Sequence, residues 1–262
     1  MNNSPIISNC TAEAIRDAAL TLKNGHLVAF PTETVYGLGA DARNPEAVKR
    51  IYEVKGRPSD HPLIVHISSV NQLDKWAEQI PDYALELARA FWPGPMTLIL
   101  KRTDIAKNFI TGGQDTVGLR VPSDPMALAL IQEFEKISNS AIVAPSANRF
   151  GQVSPTSGSD VFEELGQFLS DEDLILDGGN SIIGIESTII DCTGDQPTIL
   201  RNGAVTKADV EIQLGIKELE SKKNPNIKFS GSFEKHYAPK CKVMIDSQEI
   251  AGAGFLALSD VE

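Results

Sequence analysis

Residues 28–67, VAFPTETVYGLGADARNPEAVKRIYEVKGRPSDHPLIVHI, carry the most informative pattern of the chain. A first apolar run ends at Pro31, and a second, Leu63–Ile67, carries His66 inside it. The loop after the first run bears hydroxyls, Glu33 and two glycines, and a helical stretch ends in the cationic cluster KGRP at 55–58. Polar loops at the ends of neighbouring strands are where α/β proteins bind small ligands. The segment therefore predicts a small anionic ligand held at strand ends.

Outward from this segment, short apolar runs alternate with helical patterns. Thr11 is expected to cap a helix that stops at Gly25, and Pro45 stands in the first turn of the next helix. Further strands are expected in MTLIL, VGLRV, AIVA, LILDGG, STIIDCT and PTILRNG. This alternation predicts an α/β domain with a mixed sheet. After Val205 a short helix is expected, and the following stretch is polar, rich in Lys and punctuated by Gly, Ser and Pro, which predicts a linker.

The composition is that of a globular protein with an acidic balance. Of the 262 residues, 42% are hydrophobic and 23% are charged. The sequence contains no long uncharged apolar run, so a membrane-spanning helix is not predicted. The N-terminus lacks the basic and apolar regions of a signal peptide, and the three cysteines are far apart, which together favour a reducing cytoplasm. The net charge of −11 argues against stable, nonspecific nucleic-acid binding.

A local cationic cluster nevertheless stands out in this acidic chain. Lys55 and Arg57 flank a glycine in a loop, which favours anion binding. Lys49 and Arg50 are as compatible with a solvated helix face as with anion binding. The chain contains no Gly-Lys dipeptide, so a nucleotide would bind without a Walker A loop.

The ordered motifs of the chain resemble those of the YrdC-type family of threonylcarbamoyl-adenylate synthases. Besides PTETVYGLG (31–39), KGRP and the strand with His66, they include TVGLRVP (116–122), APSAN (144–148), ESTIID (186–191) and ILRNGAV (199–205). Several ordered blocks are far more specific than any one of them. The resemblance implies a YrdC-like twisted mixed sheet with flanking helices. It also implies a catalytic domain over 1–205, a linker or lid over 206–240, and the start of an incomplete, Rossmann-like domain with a short β segment over 241–262.

The resemblance further implies a nucleotidyltransferase. Its substrates would be ATP, L-threonine and bicarbonate, and its product would be passed to a tRNA threonylcarbamoyl-transfer complex. It places the threonine pocket at Thr34, His66, Arg120, Ala144 and Ser187. It places the nucleotide contacts at Arg57, His61, Thr116, Ser146, Asn148, Ser154, Arg201 and Tyr237, and the catalytic cations at Lys55 and Arg57. His61 stands where the family pattern has Asn. No His, Asp and Glu cluster has metal-ligand spacing, so Mg²⁺ is expected to arrive with ATP.

Several of these residues have a structural alternative. Arg120, inside an apolar strand, suits bidentate carboxylate recognition but could instead form a structural ion pair. His66 could be a satisfied core residue, and Ser146 and Asn148 could form a turn or a helix cap. Glu33 could orient a cation, act as a base, or pair with Arg or Lys.

Two other functions remain compatible with the residues alone. One is an RNA-binding module with a concave basic surface, which the net charge of −11 disfavours. The other is a carbamoyl-transfer enzyme of hydrogenase maturation, which shares the fold. Those enzymes add zinc-finger cysteine pairs, and this sequence has no CxxC pair.

Overall fold

A computed structural model describes residues 6–9, 11–219 and 227–229. The strands are β1 Ile6–Asn9, β2 Val28–Phe30, β3 Gly37–Asp41, β4 Ile64–His66, β5 Met96–Lys101, β6 Thr116–Arg120, β7 Ile142–Val143, β8 Leu174–Asp177, β9 Thr188–Asp191 and β10 Thr198–Arg201. They form one mixed sheet in the order β1-β8-β2-β3-β7-β4-β6-β5-β9-β10. The predicted α/β class with a mixed sheet is confirmed.

Helices flank this sheet. They are α1 Ala12–Lys23, α2 Pro45–Lys55, α3 Leu73–Trp76, α4 Asp82–Phe91, α5 Asn108–Thr111, α6 Pro125–Ser138, α7 Gly158–Leu165 and α8 Lys207–Leu214, with a 3₁₀ turn at Val70–Gln72. The Thr11 hydroxyl accepts a hydrogen bond from the Ala14 amide, as predicted for the cap of α1. Gly56 ends α2 in the left-handed conformation, which turns the chain directly into the cationic loop.

The sheet is covered on both faces. In β2, Val28 and Phe30 point to a core shared with α1 and α6, whereas Ala29 points to the larger core on the opposite face. Both sets are fully buried, as expected for a central strand whose side chains alternate between faces.

The motif PTETVYGLG (31–39), called the signature loop below, runs into a strand that was expected to be loop. β3 pairs antiparallel with β2 and with β7, although its sequence GLGAD has few strand-forming residues. The reason is close packing. A Cβ atom on Gly39 would lie 2.9 Å from a ring carbon of Phe30 and 3.0 Å from a methyl carbon of Ile142. Strand β1 and helix α5 were also not predicted.

The packed unit continues beyond Val205, where the catalytic domain was expected to end. Helix α8 buries Val210 in the main core, and Leu219 is buried there too. Residues 227–229 lie on the sheet face, where Ile227 and Phe229 pack with the core cluster of Ile99, Ile189 and Leu200. Most of the predicted linker, including Tyr237, and all of 241–262 lie outside the described residues.

None of the helices in the described ranges combines the length and the hydropathy needed to cross a membrane.

Candidate active site

One pocket gathers most of the predicted site residues at the ends of the central strands. It encloses about 480 Å³ including its open mouth. Its walls come from the signature loop at 32–37, from β4 and β6, from the APSAN segment and from the loop before β9. Eight predicted residues line it: Thr34, Arg57, His66, Arg120, Ala144, Ser146, Ser187 and Arg201.

The signature loop supplies a wall of fixed hydroxyl groups. The Thr32 hydroxyl lies 2.6 Å from the Val35 carbonyl oxygen, to which it donates, and 2.9 Å from the Thr34 hydroxyl. It also accepts hydrogen bonds from the backbone amides of Thr34 and Val35. Because Thr32 holds the turn in this way, Thr34 presents its side chain to the pocket in one orientation.

Arg120 lines the pocket and also forms the ion pair that its sequence context allowed. Its Nη2 atom donates to Glu33 Oε1 at 2.7 Å, and both side chains are buried. The Nε atom has no hydrogen-bond partner among the described residues. The pair resolves the open alternatives for Glu33 in favour of pairing with an arginine. It leaves part of the Arg120 guanidinium available to a ligand, and that contact stays a prediction.

His66 is held beside Arg120 by the sheet, because β4 and β6 pair these two residues in register. Burial, with a smaller contribution from the Arg120 charge, lowers the pKa of His66 to about 3. The imidazole is therefore neutral at physiological pH. Its ring stands edge-on to Phe30 with centroids 6.1 Å apart.

A second arginine–carboxylate pair, Arg201 with Glu186, also lines the pocket. Arg201 donates through Nη1 to Glu186 Oε2, and its Nε atom donates to the Ser187 carbonyl oxygen at 3.0 Å. The Ser187 hydroxyl lies 3.1 Å from Arg201 Nη2 and 2.8 Å from the Thr97 hydroxyl. The Ser154 hydroxyl donates to Glu186 Oε1 at 2.8 Å. These contacts fix both a cation and a hydroxyl in the pocket wall.

The two residues of the cationic loop differ in where they point. Arg57 lines the pocket and donates through Nη2 to the Pro62 carbonyl oxygen at 2.9 Å. Lys55 is not among the lining residues. Its ammonium is buried and donates to the carbonyl oxygens of Ser146 and Asn148, at 2.5 Å each. The structure therefore shows Lys55 bracing the APSAN segment, where the resemblance implied direct contact with substrate.

Four other predicted residues lie outside the pocket lining. His61 packs against Phe150, with ring centroids 5.4 Å apart. The Asn148 amide donates to the carbonyl oxygens of Arg149 and Gln152 at 2.8 Å each, so Asn148 forms the turn that its sequence context allowed. Thr116 lines a separate groove with Gln114, Lys228 and others, and Ser154 lines an adjoining cavity that shares Val35 and Glu186 with the pocket. Tyr237 lies outside the described residues.

The structure shows the ion-pair partners of the two other predicted cations, Lys49 and Arg50. It also places in the pocket two residues that the sequence analysis did not identify. Lys49 pairs with Glu53 at the surface, whereas Arg50 forms a bidentate ion pair with the buried Asp173. Sequence reasoning missed Thr32 and Glu186 as pocket-lining residues. The signal for Glu186 was its position beside Ser187 in the ESTIID motif. Within the described ranges no cluster of three or more His, Cys, Asp or Glu side chains could hold a metal ion.

The family model Sua5_yciO_yrdC, described as "Telomere recombination", matches residues 20–203. A threonylcarbamoyl-AMP synthase of Pyrococcus abyssi is 45% identical over 240 residues, which cover 88% of this chain and 67% of that protein. One of Bacillus subtilis is 44% identical over 235 residues, covering 88% and 66%. The crystal structure of P. abyssi Sua5 complexed with L-threonine superposes with a TM-score of 0.78 at 44% identity, covering 89% of this chain and 69% of the other. The chain thus spans about two thirds of the length of these relatives.

Proposed function

Because the chain belongs to the Sua5/YciO/YrdC family, we propose that it synthesises L-threonylcarbamoyl-adenylate from L-threonine, bicarbonate or CO2, and ATP, with release of pyrophosphate. The relatives named threonylcarbamoyl-AMP synthase, at 44–45% identity, support this activity over RNA binding and over carbamoyl transfer in hydrogenase maturation. The product would serve as the first intermediate of tRNA threonylcarbamoyladenosine synthesis. A tRNA threonylcarbamoyl-transfer complex would consume it, and the cytoplasm is the expected compartment.

One observation carries the proposal. A single pocket is lined by Arg120, His66 and Thr34, and also by Arg201, Glu186 and Arg57. Arg120, His66 and Thr34 suit an amino acid with a carboxylate and a side-chain hydroxyl. Arg57 and Arg201 suit phosphate oxygens. His66 is neutral and adds no positive charge. The positive charge beside it therefore comes from Arg120, which forms an ion pair with Glu33.

The reaction would proceed in two bond-forming steps. The uncharged threonine amine attacks the carbon of CO2, a C–N bond forms while one C–O π bond breaks and its electron pair moves onto oxygen, and the amine proton leaves to solvent to give an N-carboxylate. An oxygen of that carboxylate attacks the α-phosphorus of ATP, and the bond to the bridging oxygen breaks as pyrophosphate leaves with the electron pair. Neither step needs a side-chain nucleophile, so the contribution of the protein is orientation and charge stabilisation.

The arginines have separate parts in this scheme. Arg120 would orient the threonine carboxylate so that the amine faces the nucleotide. Arg57 and Arg201 would bind the phosphates and stabilise the charge that develops on the departing pyrophosphate. Lys55 would act indirectly, by holding the carbonyls of Ser146 and Asn148 and thereby the pocket wall that Ser146 contributes.

Mg²⁺ would enter on the triphosphate and not through a protein cage. Glu186, which lines the pocket, and Glu33, which contacts Arg120 from outside the pocket lining, are each bonded to an arginine, which suits an ion that keeps much of its water and binds through substrate phosphates. When bound, it would neutralise phosphate charge and favour the departure of pyrophosphate.

The test is pyrophosphate release in the presence of ATP, bicarbonate and one amino acid at a time. Release should require L-threonine and bicarbonate, and serine should be a poor substitute. Arg120→Ala should mainly raise the KM for threonine and Arg57→Ala mainly that for ATP, since loss of a buried charged hydrogen bond costs about 2–5 kcal/mol. Equal turnover with valine would contradict the hydroxyl-reading pocket, because a site with paired hydroxyls discriminates against ligands without one.

A further inference from the structure

Two carboxylates each contact one of the three arginines that line the pocket. Glu33 contacts Arg120, and Glu186 contacts Arg201. In each pair the side chains are no more than 11% exposed, so the ionic contacts are shielded from solvent. A third arginine–carboxylate pair, Arg50 with Asp173, lies away from the pocket; its Asp173 is fully buried, whereas Arg50 is partly exposed, and the contact is bidentate. This pair provides an ionic contact of the same residue types that neither substrate is expected to touch.

Glu33 reaches Arg120 from the signature loop, across 87 positions of sequence. Its backbone is itself fixed, because the Glu33 carbonyl oxygen accepts a hydrogen bond from the Ile183 amide at 2.8 Å. An arginine side chain has several rotatable bonds, and its planar fork binds a carboxylate well only at a defined angle. The contact from Glu33 Oε1 to one terminal nitrogen restricts that angle.

Glu186 makes the corresponding contact with Arg201 in the pocket wall. One of its oxygens accepts from Arg201 on β10, and the other accepts from the Ser154 hydroxyl on a separate loop. It therefore joins two elements that both contribute to the walls around the proposed nucleotide end.

We propose that Glu33 and Glu186 are positioning residues, each of which sets the orientation of one arginine for one substrate: Arg120 for the threonine carboxylate and Arg201 for the nucleotide. The inference rests on the proposed function for the identity of the two ligands. It assigns the two carboxylates no contact with the reacting atoms. They would act through the arginines that they hold.

Two substitutions at each glutamate distinguish the effect of carboxylate position from the effect of its charge. Replacing Glu by Asp keeps the charge and withdraws the carboxylate by about 1.5 Å, the length of one carbon–carbon bond. Replacing Glu by Gln keeps the reach and an acceptor oxygen but removes the charge. At Glu186 the Gln amide can also donate to the Ser154 oxygen, because a hydroxyl both donates and accepts.

Calorimetric titration of the full chain with L-threonine and, separately, with ATP and Mg²⁺ in the absence of bicarbonate measures the two affinities. Glu33→Asp should weaken threonine binding about tenfold and leave ATP binding within about twofold, because the charged hydrogen bond that orients Arg120 is lost. Glu186→Asp should show the reverse selectivity. The Gln variants should stay within about threefold of the parent affinities but melt at lower temperature, since each leaves a buried arginine without its counter-charge.

Asp173→Asn is a control away from the pocket, because it removes the charge of the buried carboxylate that Arg50 contacts. It should lower the melting temperature and leave both affinities unchanged. Equal weakening of both ligands in a Glu→Asp variant, or larger affinity losses in Gln than in Asp variants, would overturn the inference. A parent chain that binds both ligands but releases no pyrophosphate would refute the proposed reaction alone. A parent chain that binds neither would overturn both.

Discussion

Replacing Lys55 by Met tests whether this lysine shapes the pocket or contacts the substrate. Lys55 is the last residue of α2 and only 2% of it is exposed. Its Nζ atom lies 2.5 Å from the carbonyl oxygens of both Ser146 and Asn148. Burial, followed by the nearby charge of Arg57, lowers the pKa of the ammonium well below its usual range. Met has a similar length and shape but donates no hydrogen bond.

The expected loss of stability follows from the two carbonyl groups. Each would lose a hydrogen bond in a buried setting, at a cost of about 1–3 kcal/mol. Part of this cost is offset because the variant no longer buries an ammonium group. We therefore expect the free energy of unfolding to fall by about 2–4 kcal/mol.

The same loss should reach the pocket through the backbone. The Ala147 amide donates to the Tyr36 carbonyl oxygen at 2.8 Å, and Ser146 forms a bridge with Gly37. A loosened APSAN segment would thus disturb the signature loop, and the KM for both substrates should rise.

Urea unfolding and pyrophosphate-release kinetics measure these two effects. Lys49→Met, on the exposed face of the same helix, is the control and should change stability by no more than about 0.5 kcal/mol. If Lys55→Met kept full stability and lost only kcat, the bracing argument would fail and the catalytic assignment implied by the family resemblance would be correct.

Three further results are expected. Since the pKa of His66 is lowered to about 3 in the folded state, its contribution to stability is complete above its unfolded value near 6.5 and is lost as the pH falls towards 3. Unfolding measured at pH 7 and pH 4.5 should show His66→Phe losing less stability on acidification than the parent, by about 1.4 kcal/mol for each pH unit below about 6.5, and equal losses would contradict the burial argument. Ending the chain after Val205 should cost about 3–6 kcal/mol, because Val210 and Leu219 leave the core, and an unchanged melting temperature would show that these contacts contribute little. Tyr237→Ala should weaken ATP binding and increase hydrolysis of the intermediate if the linker covers the site, whereas unchanged affinity and yield would make the linker a tether only.

Local chemistry explains which parts of the fold could be predicted from the sequence. Thr11 and Pro45 mark helix starts through interactions within one turn, and these were predicted correctly. Strand β3 was not, because Gly39 is required by the close approach of Phe30 and Ile142, and Gly37 by that of Ala144, which no local pattern reports. The burial of Val210 in the main core is likewise a tertiary effect.

In the site, too, local motifs could be recognised from the sequence, whereas tertiary contacts could not. Motifs identified His66 and Arg120, and the sheet brings them together because parallel pairing of β4 and β6 sets them in register. The direction of Lys55 could not be predicted, since its two acceptors lie 91 and 93 residues further along the chain. The ion-pair partner of Arg120 could not be predicted either, because any Asp or Glu in the sequence could have been that partner.

The acidic balance of the chain and its cationic pocket are compatible because they act over different distances. A net charge of −11 spread over the surface is screened beyond about 8 Å at physiological ionic strength. The pocket arginines act at contact distance from shielded positions, where screening is weak and hydrogen-bond geometry determines affinity. The surface charge should therefore slow the approach of anionic ligands and disfavour nonspecific RNA binding, while leaving the affinity for a bound nucleotide to local contacts. For this reason the placement of Arg120 and Arg201 by their carboxylate partners is more informative about function than the number of cations in the sequence.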